Sequence, residues 1–131
     1  MGRETEGIVL PLERLRRGTQ ALLEDPRRGR YWIAELDGVP VGQIMVTYEW
    51  SDWRAADFWW IQSVYTKPEH RGRGVYRAMH GHVVALAQRS GAAGVRLYVE
   101  RHNTGARAVY EKLGMKSAPY EMMEIDFVIS R

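Results

Sequence analysis

At 131 residues, with 45% hydrophobic and 27% charged residues, the chain is long enough for one domain with a buried core and too short for two. It has no cysteine, which excludes disulfides, thiolate metal sites and cysteine nucleophiles and fits a reducing cytoplasm. The formal charge of +3 is a mild excess, and without an apolar run of roughly 20 residues we expect a cytoplasmic protein, residues 1–131 forming a single domain with no membrane span.

The first half of the chain predicts a helix followed by an antiparallel pair of strands. Leucines recur over residues 10–23 among good helix formers, and Gly18-Thr19 is expected to divide this helix in two. Residues 31–36 and 41–48 are β-prone and flank Asp37-Gly38, a dipeptide typical of hairpin turns.

The second half alternates strands with helices. Residues 49–57 predict a loop or the end of a hairpin, and the almost wholly apolar residues 58–65 predict a strand that is buried on both faces. The remaining expectations are a helix from Val75 to Ser90, a strand over 95–99, a helix from Asn103 to Gly114 and a last strand over 123–129. This order predicts an α/β fold whose two central strands are parallel neighbours.

A glycine-rich segment connects the apolar strand to the helix after it, and it consists of Arg71, Gly72, Arg73, Gly74, Val75 and Tyr76. Two glycines around one arginine allow a tight turn in which several backbone N–H groups point at one position. The helix N-terminus adds roughly half a positive charge, so the segment suits a pyrophosphate. An isolated segment of this kind is more often a basic surface turn.

A second segment favours the pyrophosphate site over the surface turn. Residues 103–115 read N-x-x-A-x-x-x-Y-E-x-x-G-M, and together with the R-x-x-G-x-(G/A)-like loop they resemble the GNAT superfamily of N-acetyltransferases over about residues 31–127. Tyr76 stands where the family usually has glycine or alanine. Family members normally begin with a strand and a helix before the segment that starts here at Glu4, so the resemblance implies a member that is short at its N-terminus. Nucleotide P-loop and dinucleotide fingerprints are absent.

The resemblance implies a mixed, mostly antiparallel sheet flanked by helices, with a central parallel strand pair splayed to hold CoA. It implies acetyl-CoA as cosubstrate, no metal, and direct transfer of the acetyl group to an amine of a small molecule, peptide or protein. The residues assigned to cofactor binding are Ser63, Val64, Tyr65, Arg71, Gly72, Arg73, Gly74, Val75, Tyr76 and Asn103.

Catalytic roles also follow from the resemblance. Tyr110 matches the tyrosine whose hydroxyl protonates the leaving thiolate, although a tyrosine on the inner face of a helix is more often core packing. Glu100 is the leading candidate for the base that deprotonates the amine, with Glu49 and Asp52 as rivals.

The predicted loop after the second strand combines acidic and aromatic side chains suited to an amine cation. Glu49, Trp50, Asp52 and Trp53 are therefore assigned to the acceptor site, and core packing or a dimer interface is the alternative for the tryptophans. The four histidines are too scattered along the sequence to predict a metal site.

Two other functions remain open at this point. One is a catalytically silent acyl-CoA-binding module that keeps the loop without an acceptor site. The other is a basic nucleic-acid binder that uses Arg71, Arg73 and Arg77, which is less favoured because no strand interleaves basic and aromatic residues. The exposed tryptophans and the short N-terminus also leave a homodimer open.

Overall fold

The computed structural model describes residues 11–130. Leu10 of the predicted first helix and the preceding segment that starts at Glu4 lie outside the described residues. Its elements are α1 (Leu12–Glu24), β1 (Gly29–Leu36), β2 (Val39–Ser51), β3 (Ala56–Thr66), a short 3₁₀ turn (Pro68–His70), α2 (Val75–Arg89), β4 (Gly94–Leu97) and α3 (Thr104–Lys112). Within residues 11–130 no helix has the length and apolar character needed to cross a bilayer.

The four strands form one mixed sheet in the order β1-β2-β3-β4. The pairs β1–β2 and β2–β3 are antiparallel, whereas β3 and β4 are parallel, which confirms the predicted strand-helix-strand crossover. The β1–β2 turn is made by Asp37 and Gly38, whose φ angles are 53° and 78°. The predicted break in the first helix is wrong: α1 continues through Gly18, because a glycine within a helix costs only about 1 kcal/mol relative to alanine.

The core lies between α2 and one face of the sheet. Its buried members are Ile44, Val46, Trp59, Ile61, Met79, Val83 and Ala87. Gly42 permits the close approach of α2 to this face, since a Cβ atom there would lie 3.1 Å from both the Tyr65 carbonyl oxygen and Val75 Cγ1. The N-terminus of α2 is thereby held against the end of β3.

A β-bulge interrupts β3 directly after its last residue pair with β4. Met45 pairs with Ser63 and Val46 pairs with Ile61, so Gln62 is an extra residue on β3. The last parallel pair joins Ile61 to Leu97. A bulge bends its strand and increases the local twist, and the pairing of β3 with β4 ends beside it, at the last residue of β4.

Only the first half of β3 is buried on both faces, as the sequence predicted for the whole strand. Phe58 and Trp59 are both buried although neighbouring side chains point to opposite faces, so the start of the strand is covered on both sides. Gln62 and Tyr65 are exposed, so burial on both faces is wrong for the second half. Likewise β4 ends at Leu97 and does not include Val99.

The predicted last strand over 123–129 is absent. Met123 and Phe127 are 96% and 93% exposed, and residues 116–130 contain neither helix nor strand. Asp126 Oδ1 accepts hydrogen bonds from the backbone N–H groups of Val128 and Ile129 at 2.8 and 2.9 Å. This side-chain turn bends the segment, because its backbone bonds to a local carboxylate and not to a neighbouring strand.

Candidate functional site

A cavity of about 480 Å³ opens where β3 ends and α2 begins. Residues from β3, the connecting loop, α2 and α3 line it: Val64, Tyr65, Thr66, His70, Arg71, Gly72, Gly74, Val75, Tyr76, Arg77, Val109, Lys112 and Leu113. Seven of the ten residues assigned to the cofactor from sequence are in this set. The glycine-rich loop and the second motif, which lie far apart in sequence, therefore meet on one cavity.

The loop has the backbone conformation that its glycines were expected to allow. Gly72 and Gly74 have φ angles of 77° and 81°, in the left-handed region that other residues rarely adopt. Gly74 is the N-cap of α2 and offers no side-chain cap. The first N–H groups of a helix have no partner within the helix, so those of α2 are available to an anion beside the cavity.

Arginine and lysine side chains add positive charge around the same opening. Arg77 from α2 and Lys112 from α3 both line the cavity. Arg71 also lines it, and its Nε donates to the Thr66 carbonyl oxygen at 2.9 Å while its guanidinium lies 5.6 Å from the centre of the Tyr65 ring. Arg71 thus ties the loop to the end of β3, and Arg73 is not among the lining residues.

The second motif forms α3, and Asn103 begins it as predicted. The Asn103 Oδ1 accepts a hydrogen bond from the Ala106 N–H at 3.0 Å, which is a standard N-cap. About two turns after Asn103, Tyr110 places its ring against Tyr76 of α2, with ring centroids 6.0 Å apart and planes at 65°. Burial raises the pKa of the Tyr110 hydroxyl above its ordinary value. That hydroxyl therefore stays protonated at neutral pH and is able to donate a proton.

Besides Arg73, four residues predicted to bind the cofactor or to act in catalysis are not among those that line the cavity: Tyr110, Ser63, Glu100 and Asn103. Ser63 accepts a hydrogen bond from Gln43 Nε2 at 3.1 Å across the β2–β3 pair. The Glu100 carboxylate, beyond the end of β4, accepts from the His102 N–H at 2.8 Å. Asn103 is occupied by its capping bond. Within residues 11–130, no carboxylate is among the residues that line the cavity.

The residues assigned to the acceptor site occupy the opposite end of β3. Trp50, Asp52 and Trp53 lie at the tip of the β2–β3 hairpin, where Trp53 is 86% exposed. The 11 residues of β3 separate this tip from the loop by roughly 33 Å. The structure therefore does not bring the two predicted sites together.

Glu49, the fourth residue assigned to the acceptor site, lies within β2 and not at the hairpin tip. Its Oε1 accepts from Trp60 Nε1 and from Arg96 at 3.0 Å each, on the sheet face away from α2. Arg96 also lies 3.5 Å from the centre of the Phe58 ring. Tyr98, the first residue after β4, stacks on Trp60 of β3 with ring centroids 4.4 Å apart. Glu49 thus joins three strands through one carboxylate.

Comparison with known proteins decides the family. The model of the acetyltransferase (GNAT) family matches residues 4–115 of this chain. The chain belongs to the GNAT family. A crystal structure of a possible acetyltransferase from Clostridium difficile 630 is 40% identical and superimposes with a TM-score of 0.90, covering 98% of this chain and 85% of that one.

Two curated relatives extend the comparison. A mycothiol acetyltransferase of Corynebacterium aurimucosum is 32% identical over 110 residues, which cover 82% of this chain and 36% of that protein. An uncharacterized N-acetyltransferase of Methanocaldococcus jannaschii is 29% identical over 87 residues, which cover 66% of this chain and 38% of that protein. This GNAT chain spans little more than a third of the length of either.

Sequence reasoning missed several members of this GNAT cavity. Lys112 lies two residues beyond Tyr110 in the second motif, and His70 directly precedes the loop. Their positions next to the two motifs could have identified both as lining residues. His70 Nδ1 is buried and has no hydrogen-bond partner within the described part of the chain. Over residues 11–130 no three histidine or acidic side chains are grouped as metal ligands.

The capping role of Asn103 in this GNAT chain can be tested by substitution. We expect Asn103→Ala to lower the free energy of unfolding by about 1 kcal/mol, because the Ala106 N–H loses its acceptor. Asn103→Asp keeps a capping oxygen and serves as the control, with unchanged stability. Urea denaturation measures both variants. Equal stability of the alanine and aspartate variants would contradict the capping role.

Proposed function

We propose that the chain is an acetyl-CoA-dependent N-acetyltransferase that transfers an acetyl group directly to an amine of a small molecule, a peptide or a protein, and that it acts in the cytoplasm as one domain. One observation carries the proposal. The glycine-rich loop and α3, which hold the two GNAT motifs, line a single cavity at the end of β3, beyond its last pair with β4.

The chemistry of the cavity fits the cosubstrate. Positive φ angles at Gly72 and Gly74 open the loop beside the N-terminus of α2, which suits a pyrophosphate. Arg77 and Lys112 add cationic charge for phosphate groups. Apolar contacts for a flexible arm come from Val64, Val109 and Leu113. Acetyl-CoA, when bound, supplies an acetyl group activated as a thioester.

Within this proposal the chain's own residues have three tasks. The loop and α2 bind and orient the phosphates, so that the remaining cavity guides the arm toward α3. Tyr110 holds a proton for the thiolate that leaves when the amine takes the acetyl group. Its raised pKa, caused mainly by burial, keeps that proton in place until the thiolate forms.

The amine must also lose a proton, and Glu100 remains the proposed base, with Glu49 and Asp52 as rivals. No carboxylate from the described part of the chain lines the cavity, which favours one alternative, a silent acyl-CoA-binding module. Both functions require cosubstrate binding and differ in turnover.

One experiment distinguishes them. Titration calorimetry with acetyl-CoA measures binding, and a thiol-release assay screens small amines, polyamines, amino acids and peptides as acceptors. We expect saturable binding and thiol release with at least one amine class above the rate without acceptor. Binding without release for every class would support the silent module, and no binding would contradict both functions.

A further inference from the structure

The segment after α3 leaves most of its large apolar side chains exposed. Residues 116–130 form neither helix nor strand. The exposed large apolar side chains of this segment are Tyr120, Met122, Met123, Ile125, Phe127 and Val128. Exposed apolar side chains that lie close together, unlike ones scattered singly, mark an interaction site. We therefore expect another surface to cover this segment.

The segment has the pattern of a strand but no neighbouring strand. Residues 120–126 contain no turn or bend, and Met123 and Ile125 alternate with Glu124 and Asp126. In an extended conformation these two sets of side chains point to opposite faces. The turn held by Asp126 lies beyond these residues and leaves their backbone able to pair. Over residues 11–130, β1 to β4 form the only sheet, and the segment is not part of it.

β4 offers a strand edge beside an incompletely covered part of the core. The strand order places β4 at one edge of the sheet, so one side of its backbone pairs with no strand of the described chain. An edge of this kind is a template for an added strand. Val95 and Leu97 of β4 pack against the core but are only partly buried. More apolar surface at this edge would complete their burial.

The two faces of β4 match the two faces of the segment. Met123 and Ile125 suit the face that carries Val95 and Leu97. The opposite face carries Arg96, whose side chain is 30% exposed, and the carboxylate of Glu124 would then lie on the same face as this cation. The other edge strand, β1, lacks this match, because alternation places the uncharged residues Gly29, Tyr31 and Ile33 on its corresponding face.

The start of the segment is held against its own chain, while the rest extends away from the sheet. Met115 Sδ lies 3.4 Å from His80 Nε2, and Ser117 Oγ accepts from Arg107 Nη1 at 2.9 Å. A symmetric exchange between two copies would let each segment reach a β4 edge and would close both edges at once.

The exposed surface is large enough for such an exchange. The Tyr120 and Phe127 rings are exposed in each copy, and an aromatic side chain buries about 150 to 250 Å². Two segments with four more exposed apolar side chains each can therefore supply the roughly 1,200 to 2,000 Å² of a stable interface.

We propose that residues 120–126 of one chain form an added strand on the free edge of β4 in a second copy of the chain. Met123 and Ile125 then pack beside Val95 and Leu97, and Glu124 lies on the face of Arg96. This exchange requires neither acetyl-CoA nor turnover, so it stands apart from the proposed function.

The first test changes the apolar face of the segment. Sedimentation equilibrium should give twice the mass of one chain for the wild type, and the double variant Met123→Glu, Ile125→Glu should halve it. Both side chains are largely exposed within one chain, so circular dichroism should show an intact fold. Ile33→Glu is the matched control, because Ile33 is exposed on β1, and it should keep the doubled mass. A wild type with the mass of one chain, or a double variant that keeps the doubled mass, would overturn the proposal.

The second test locates the contact, because the chain has no cysteine of its own. Tyr98→Cys beside β4 and Glu124→Cys are introduced into separate chains, one of them tagged, and the two chains are co-expressed and treated with a short bis-maleimide. We expect a cross-link between the tagged and untagged chains, and none when Ile33→Cys replaces Tyr98→Cys. Failure of the Tyr98–Glu124 cross-link, or cross-linking at Ile33 instead, would overturn the proposal. So would a cross-link within single chains that carry both cysteines, since the segment would then pair with its own β4.

Discussion

Replacing Gly74 with aspartate should lower the affinity for acetyl-CoA about 100-fold or more, since a like-charge contact at an anion site costs several kcal/mol. Gly74 caps α2 and lines the cavity, so the new carboxylate would lie beside the position proposed for the pyrophosphate. A Cβ atom at Gly74 has no neighbour within 4 Å, so the loss would come from charge and backbone strain and not from a clash. Titration calorimetry measures the affinity.

Gly91→Asp is the matched control for backbone strain. Gly91 has a φ angle of 77° and, like Gly74, has open space around an added Cβ atom. It follows the far end of α2, about 22 Å from the loop by the length of that helix. We expect this variant to keep wild-type affinity. Equal affinity of wild type and Gly74→Asp would contradict the assignment of the loop to the pyrophosphate.

Removing the Tyr110 hydroxyl should lower kcat about 100-fold or more, because a general acid typically contributes about 10²- to 10⁴-fold. The phenylalanine ring keeps the contact with Tyr76, so the cavity retains its shape and the affinity for acetyl-CoA should change less than about twofold. A fall in kcat without a change in binding indicates an interaction made only as the thiolate leaves. Steady-state thiol release and calorimetry together separate the two quantities.

Tyr120→Phe provides the control, because Tyr120 is exposed in the segment after α3 and should affect neither quantity. Full turnover in Tyr110→Phe would contradict the acid role. A loss of affinity as large as the loss of turnover would instead indicate that Tyr110 serves to shape the cavity.

Local sequence signals were sufficient for the parts of the fold that local geometry determines. Asp37 and Gly38 predicted the first hairpin because their positive φ angles are a property of the turn itself. The same holds for Gly72 and Gly74, and for Asn103, whose capping bond spans only three residues. The crossover predicted that β3 and β4 would be parallel, and that arrangement brought the two motifs to one cavity.

Features that depend on distant partners could not be predicted in this way. Alternation over residues 123–129 indicates which side chains would share a face, but a strand also needs a neighbour, and Asp126 supplies local hydrogen bonds instead. Asp52 and Trp53 have the chemistry of an amine site, yet the direction of β3 carries them away from the loop. Glu49 differs from both because it still lies within β2, where its carboxylate reaches Trp60 of β3 and Arg96 of β4.

Gln62, the extra residue in β3, is needed for the bend of the strand and not for the packing of the core. Without Gln62, regular alternation would still put Ile61 and Val64 on the same face of the sheet, so the core could keep both side chains. The β2–β3 ladder would then continue evenly, and no bulge would bend β3 beside the end of its pairing with β4. A chain shortened by this one position would be expected to retain its interior and to close the gap in which its chemistry is proposed to occur.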